Sequence, residues 1–249
     1  MDIAIVLYPR FTALDAIGPL EVLSSLPGAQ VRLVAAEPGP ITNDTGLLTV
    51  QVETPLTALP KPDIVLVPGG PGCFAVMQHT LTLAWLHTAH KTSRFTTSVC
   101  TGSLILGAAG LLQGAPATTH WGSATDLAPF GASYCHERFV RHERIITSAG
   151  VSAGIDMALW LIHELSGAPT MAAIQLAIEY DPQPPAPMVA PPTRHEDVSA
   201  EHWQVMAHRR AVGSAGSRLV WKISVLVVRA RRSRERTTSS MHSLRDIGY

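Results

Sequence analysis

Charge, cysteine and unbroken apolar runs are all scarce in this 249-residue chain, and each scarcity closes off a class of protein. Charged side chains make up 15%, and the 19 basic and 19 acidic residues cancel, so no global field marks a nucleic-acid or anionic-membrane partner. The cysteines, Cys73, Cys100 and Cys135, are an odd number without CxxC spacing. That pattern excludes a disulfide framework and a structural zinc site, so no metal is expected and the setting is read as reducing and cytoplasmic. The stretch Leu219–Val228 is interrupted by Lys222 and is too short to span a bilayer. The first residues, MDIAIVLYPRFTALDAIGPL, have Asp2 where a secretory signal would be basic, and Arg10 and Asp15 break their apolar run. No membrane association is expected.

What the chain does have is a change of texture. Residues 1–189 carry 8 Lys/Arg against 14 Asp/Glu, whereas 190–249 carry 11 against 5. The first part alternates short β-type runs with helical spacing. Strands are expected at Ile3–Leu7, Val31–Ala35, Leu47–Val52, Asp63–Val67 and Arg94–Val99, and near Arg138–Arg141 and Arg144–Ser148. Helices are expected at Ala16–Leu26, Phe74–Gln78, Thr82–Thr92, Ser103–Leu112, from Trp121, at Ser152–Leu165 and at Pro169–Tyr180. Such alternation predicts an α/β domain over 1–180, a parallel sheet covered by helices on both faces, with ligands at the carboxyl ends of the strands. Residues 181–199 hold six prolines and read as a linker. Residues 200–249 are rich in Arg and Ser, too poor in apolar residues for a core, and read as a disordered basic tail.

The sharpest chemical signal is FTTSV-Cys100-Thr101-Gly102-SLILGAAGLL, a strand, a small nucleophilic residue and then a helix at once. A thiol on such an elbow projects from the sheet edge, and a helix N-terminus favours its thiolate. The plainer alternative is a buried cysteine acting as a small hydrophobe. The turn Pro68–Gly72 either brings backbone N–H groups to a ligand or simply needs glycine geometry. Asp15, between apolar residues at the start of the first helix, either caps it or faces a pocket.

LDAIGPLEVL, VLVPGGPG, SVCTGSLILGAAGLLQGAPATTHW and ITSAGVSAGIDMAL, in that order over residues 1–180, resemble the ThiJ/PfpI (class I glutamine-amidotransferase-like) superfamily. The branch they resemble holds isonitrile hydratase and the amidase-like domains of AraC-type regulators. The resemblance implies a flavodoxin-like sheet with a nucleophile elbow, a homodimer and a small-molecule substrate. It places Cys100 as nucleophile with Asp15 beside it, and Gly70, Thr101 and His120 as substrate-binding residues. Thr101 stands where protease-like and deglycase-like members usually carry histidine, which points away from a Cys-His dyad. His120 can equally be a structural histidine. Ser152 and Asp156 read as capping or bracing the following helix, Cys73 as a bystander, and Cys135 beside His136 has no evident role.

The implied activity is isonitrile hydration to an N-substituted formamide, which needs no cofactor. Two alternatives remain open at this stage: a ligand-sensing domain of the AraC-regulator type, and a glyoxalase- or deglycase-like stress protein. The segment RARRSRER can touch phosphates weakly and without sequence preference, although a solvated run is the plainer reading.

Overall fold

The computed structural model describes residues 1–183 and 204–205. The rest of the expected linker and basic tail, Arg229–Arg236 included, lies outside the described residues.

Two strands with no exposed residue form the centre of the sheet: Ile64–Val67 is Ile-Val-Leu-Val, and Phe95–Val99 is buried throughout. A continuous apolar or Thr/Ser run fits a strand with a helical layer on each face. Along the chain the elements are β1 (Asp2–Val6), α1 (Ala13–Ser24), β2 (Gln30–Ala35), β3 (Gly39–Thr42), β4 (Thr49–Val52), β5 (Thr54–Pro55) and β6 (Ile64–Val67). There follow α2 (Cys73–Val76), α3 (Thr80–His90), β7 (Phe95–Val99), α4 (Gly102–Ala108) and β8 (Pro116–Ala117), then a 3-10 segment over Trp121–Phe130. The domain continues through β9 (Ser133–Tyr134), β10 (Phe139–His142), β11 (Ile145–Ser148) and α5 (Ala153–Ala177).

Seven strands pair in the order β10-β11-β7-β6-β1-β2-β5. All pairings are parallel except β10 with β11, a hairpin that closes one edge. The chain turns one way from β1 to β2 and the other way from β1 to β6. Such a reversal opens a crevice above the carboxyl ends of the strands.

One expectation changes in detail. Leu47–Val52 is not a strand of the main sheet: its ordered part, β4, pairs antiparallel with β3 as a separate ribbon. Its alternating exposure suits a half-buried ribbon, and the Gly-Pro start of β3 disguised the partner as a turn. The two terminal helices are found as expected: the run Ala153–Ala177 breaks at Gly167, where φ is 83° and ψ 169°, between the expected Ser152–Leu165 and Pro169–Tyr180. In α1 the buried face is Asp15, Ala16, Gly18, Pro19, Val22 and Leu23, whereas Ile17 and Leu20 are only half-buried. The reason is packing against α5, where Pro19 meets Gly154.

Candidate active site

At the end of β7 the backbone turns over a single residue. Cys100 has φ of 57°, the left-handed region that a residue with a Cβ enters at a cost. Its N–H donates to the carbonyls of both Ser148 (3.1 Å) and Ala149 (3.0 Å) at the end of β11. Its own carbonyl accepts from the hydroxyls of Thr119 (3.1 Å) and Ser103 (3.2 Å). The elbow is thus tied on both sides, with 6% of the cysteine exposed.

Asp15 has 0% exposure, and its Oδ2 accepts the Gly69 N–H at 2.9 Å. The N-cap of α1 is Thr12, so Asp15 is not the cap and its carboxylate is turned to the glycine turn after β6. That turn needs its glycines. A Cβ on Gly69 would lie 2.5 Å from Thr101 N and 2.9 Å from Asp15 Oδ2. Gly70 has φ of 119°, and a Cβ there would sit 2.5 Å from Thr12 N. The Gly70 N–H donates to Thr101 Oγ1 at 2.9 Å. Two N–H groups of the turn are therefore engaged in holding Asp15 and Thr101. Tyr8, whose hydroxyl donates to the Pro68 carbonyl at 2.6 Å, anchors the turn from below.

Electrostatics depart from the simple helix-end picture. Burial raises the Cys100 thiol well above its ordinary value, and the Asp15 carboxylate pushes the same way. The Thr101 N–H pulls it down, Cys73 adds a further rise, and the Val151 N–H again lowers it. Because α4 is only seven residues long, the help comes from two individual N–H groups rather than from an extended helix. Burial and the neighbouring Asp15 carboxylate thus both favour the protonated thiol, against the two N–H groups.

Cys73 also lies in this neighbourhood, fully buried, its thiol pushed up to about 12 mainly by burial, with the Thr101 side chain as a hydrogen-bond partner. His120 is half-buried and its Nδ1 accepts the Gly122 N–H at 3.1 Å. Its ring packs on Gly150, where an added Cβ would meet Cδ2 at 2.7 Å, one residue from the Val151 N–H. Cys135 is half-exposed, its Sγ 3.8 Å from the Ser133 carbonyl oxygen. Ser152 and Asp156 brace α5 as expected: Arg138 binds both, and the Tyr180 hydroxyl donates to Asp156 at 2.7 Å.

The structure thus groups Cys100, Asp15, Gly70 and Thr101 at one sheet end, with His120 beside the loop that follows β11. Sequence reasoning missed Thr119 and Val151, which reach Cys100 through a hydroxyl and a backbone N–H. Only the first of these left a signal, as the second threonine of Ala117-Thr118-Thr119-His120. Among the described residues no group of three or more His, Cys, Asp or Glu side chains could hold a metal ion, and no helix is long and apolar enough to cross a membrane.

The sequence model of the DJ-1/PfpI family matches residues 1–164. The isonitrile hydratase of Pseudomonas putida is 42% identical over 214 residues, 86% of this chain and 91% of that one. A match of 214 residues is longer than the domain expected over 1–180, so the likeness reaches into the Pro-rich segment. A ThiJ/PfpI family protein from Pseudomonas syringae, known from its crystal structure, gives a TM-score of 0.76 at 36% identity, covering 86% of this chain and 90% of that chain. The HTH-type transcriptional regulator CdhR of Pseudomonas aeruginosa is 28% identical over 225 residues, 86% of this chain and 64% of that one.

Proposed function

Since the chain belongs to the DJ-1/PfpI family, we propose that it is a cysteine-dependent isonitrile hydratase, with Cys100 as nucleophile and Asp15 as its proton relay. The observation that supports this reading is a buried carboxylate held by the Gly69 N–H, on the turn whose Gly70 N–H binds Thr101, next to a thiol in a left-handed elbow with no histidine after it. A thiol–carboxylate pair suits a reaction in which one proton must reach carbon as sulfur bonds to it.

The steps balance. Asp15 takes the Cys100 proton as Sγ attacks the terminal carbon of R–N≡C, and gives that proton to the same carbon. The product is a thioimidate, R–N=CH–S–Cys100. Water adds to the carbon, losing one proton to Asp15, which passes it to nitrogen. The tetrahedral adduct then expels sulfur, which recovers its proton from the adduct's hydroxyl as R–NH–CHO leaves. The sum is isonitrile plus water to formamide, and the step sequence draws on no metal or organic cofactor. In this reading Thr101, Gly70 and His120 bind the substrate. The protein acts as a cytoplasmic homodimer, and residues 1–180 form its α/β domain.

Formamide production from a simple alkyl isonitrile, compared for wild type and Cys100→Ser at equal folded concentration, tests the proposal. Turnover by wild type and none by the serine variant is expected, and equal rates in the two would remove Cys100 from the reaction. The regulator relative supports a second reading, a ligand-sensing domain, which predicts isonitrile binding or none but no turnover.

A further inference from the structure

Thr119 lies outside every motif position assigned a role, yet it makes the one hydrogen bond from a distant segment to the Cys100 carbonyl among the described residues. It is fully buried, and it is rigidly placed by its neighbour. Thr118 donates its N–H to Thr147 Oγ1 at 2.9 Å and its hydroxyl to the Glu137 carbonyl at 3.2 Å, so the strand end behind Thr119 is pinned to β11 and to the loop before β10. Ser103 supports the same carbonyl from within α4 at 3.2 Å.

The Cys100 carbonyl and the Thr101 N–H belong to one planar trans peptide and point in opposite directions. Anchoring the oxygen therefore sets the direction of the N–H, and this is the N–H that faces Sγ. Cys100 precedes the N-cap Thr101, so its oxygen has no regular helix bond: the Ser103 nitrogen lies 3.5 Å from it, at the limit of a hydrogen bond.

We propose that Thr119 is a positioning residue for the nucleophile, its buried hydroxyl holding the Cys100–Thr101 peptide plane so that the Thr101 N–H stays aimed at Sγ. The inference rests on Cys100 being the nucleophile and not on the identity of the substrate. Around the thiol, the titratable groups that share its surroundings are Asp15 from α1, Cys73 from α2 and Tyr8 just past β1, with His120 beyond Gly150.

The test is the pH profile of Cys100 alkylation by iodoacetamide, read by peptide mapping without substrate, for wild type, Thr119→Val and Thr119→Ser. Loss of one well-aimed N–H contact is worth about 0.5–1 pH unit. Thr119→Val should move the midpoint up by that amount and slow labelling at a fixed pH by roughly two- to three-fold, the lost thiolate being half offset by its greater nucleophilicity. Thr119→Ser, which keeps the hydroxyl, should restore the wild-type midpoint. A merely structural Thr119 would lower the melting temperature in the valine variant and leave the midpoint alone, and a folded Thr119→Val protein with that result overturns the proposal. Should the valine variant not fold, Ser103→Ala removes the other hydroxyl on the same carbonyl. It must then shift the midpoint upward, and an unchanged midpoint refutes the anchoring argument. Wild-type protein that alkylates with this Thr119 dependence but turns over no isonitrile would sink the substrate reading alone.

Discussion

Replacing Asp15 by asparagine should drive two measurements of the same site in opposite directions. The side chain keeps its shape, and an amide oxygen can still accept the Gly69 N–H that Oδ2 accepts now at 2.9 Å. What disappears is a negative charge, the second-largest influence raising the Cys100 thiol after burial, and with it the group that relays the proton. A contacting carboxylate shifts such a group by about 1–3 units, so even the low end increases the thiolate fraction about tenfold at a given pH below the midpoint. A less basic thiolate is also a weaker nucleophile, by about half a logarithm per unit, which leaves a net gain of roughly threefold in alkylation. Hydration of an isonitrile should meanwhile fall by about 10²–10⁴-fold, the range for losing a general acid–base group. Iodoacetamide labelling of Cys100 and formamide production would be followed on the same preparations, in a Cys135→Ser background because Cys135 is the more exposed thiol. Slower labelling would show that the carboxylate does not act on sulfur. Hydration within about threefold of wild type would eliminate Asp15 from the mechanism.

Stability should decline with alkali: Cys73 keeps its proton in the folded state up to about 12 against 9.0 as reference, so its contribution is complete below pH 9 and lost as pH rises towards 12. The slope is about 1.4 kcal/mol per pH unit for one proton. Cys100 and Tyr8, also raised, act in the same sense, and urea midpoints between pH 8 and 10 should fall less steeply in Cys73→Ser. Ser98 is fully buried with no hydrogen-bond partner for its Oγ among the described residues, so Ser98→Ala should leave the melting temperature unchanged or higher, and a loss above about 1 kcal/mol would reveal a partner. Gly102→Ala would put a Cβ 2.1 Å from the Val67 carbonyl oxygen, and overpacking against backbone should cost about 3 kcal/mol by denaturant titration and displace the elbow. Truncation after residue 185 should preserve the cooperative melt if 1–180 is the folding unit, since Tyr180 is tied to α5 through Asp156.

The parallel core was legible because strands buried on both faces are written as unbroken runs, Ile64–Val67 being the plainest. The ribbon of β3 and β4 was not, because half-buried strands depend on which face meets solvent, and Gly39 and Pro40 spell a turn locally. At the site, Cys100 and Asp15 stood out as polar residues in apolar surroundings followed or preceded by a helix. The direction in which the Cys100 thiol is pushed was not legible: a helix end alone suggests an acidic thiol, but burial and a carboxylate 85 positions away in the chain outweigh two N–H groups. Thr119 and Val151 were hidden for the same reason. A hydroxyl or an amide acquires its role only when folding brings it to a particular carbonyl or sulfur, and nothing in its own neighbours marks the distance.

The conformation of Cys100 bears on any effort to make this protein more heat-resistant. A side chain in the left-handed region costs on the order of 1 kcal/mol that glycine would not incur, but glycine at position 100 would also empty the buried space of the thiol and loosen the unfolded chain, so relief of the turn and loss of packing oppose each other. A melting temperature close to that of the parent is the expected result, and it says nothing of the sulfur. Screens that rank variants by melting temperature will pass inert proteins at this position unless thiol reactivity is scored beside it.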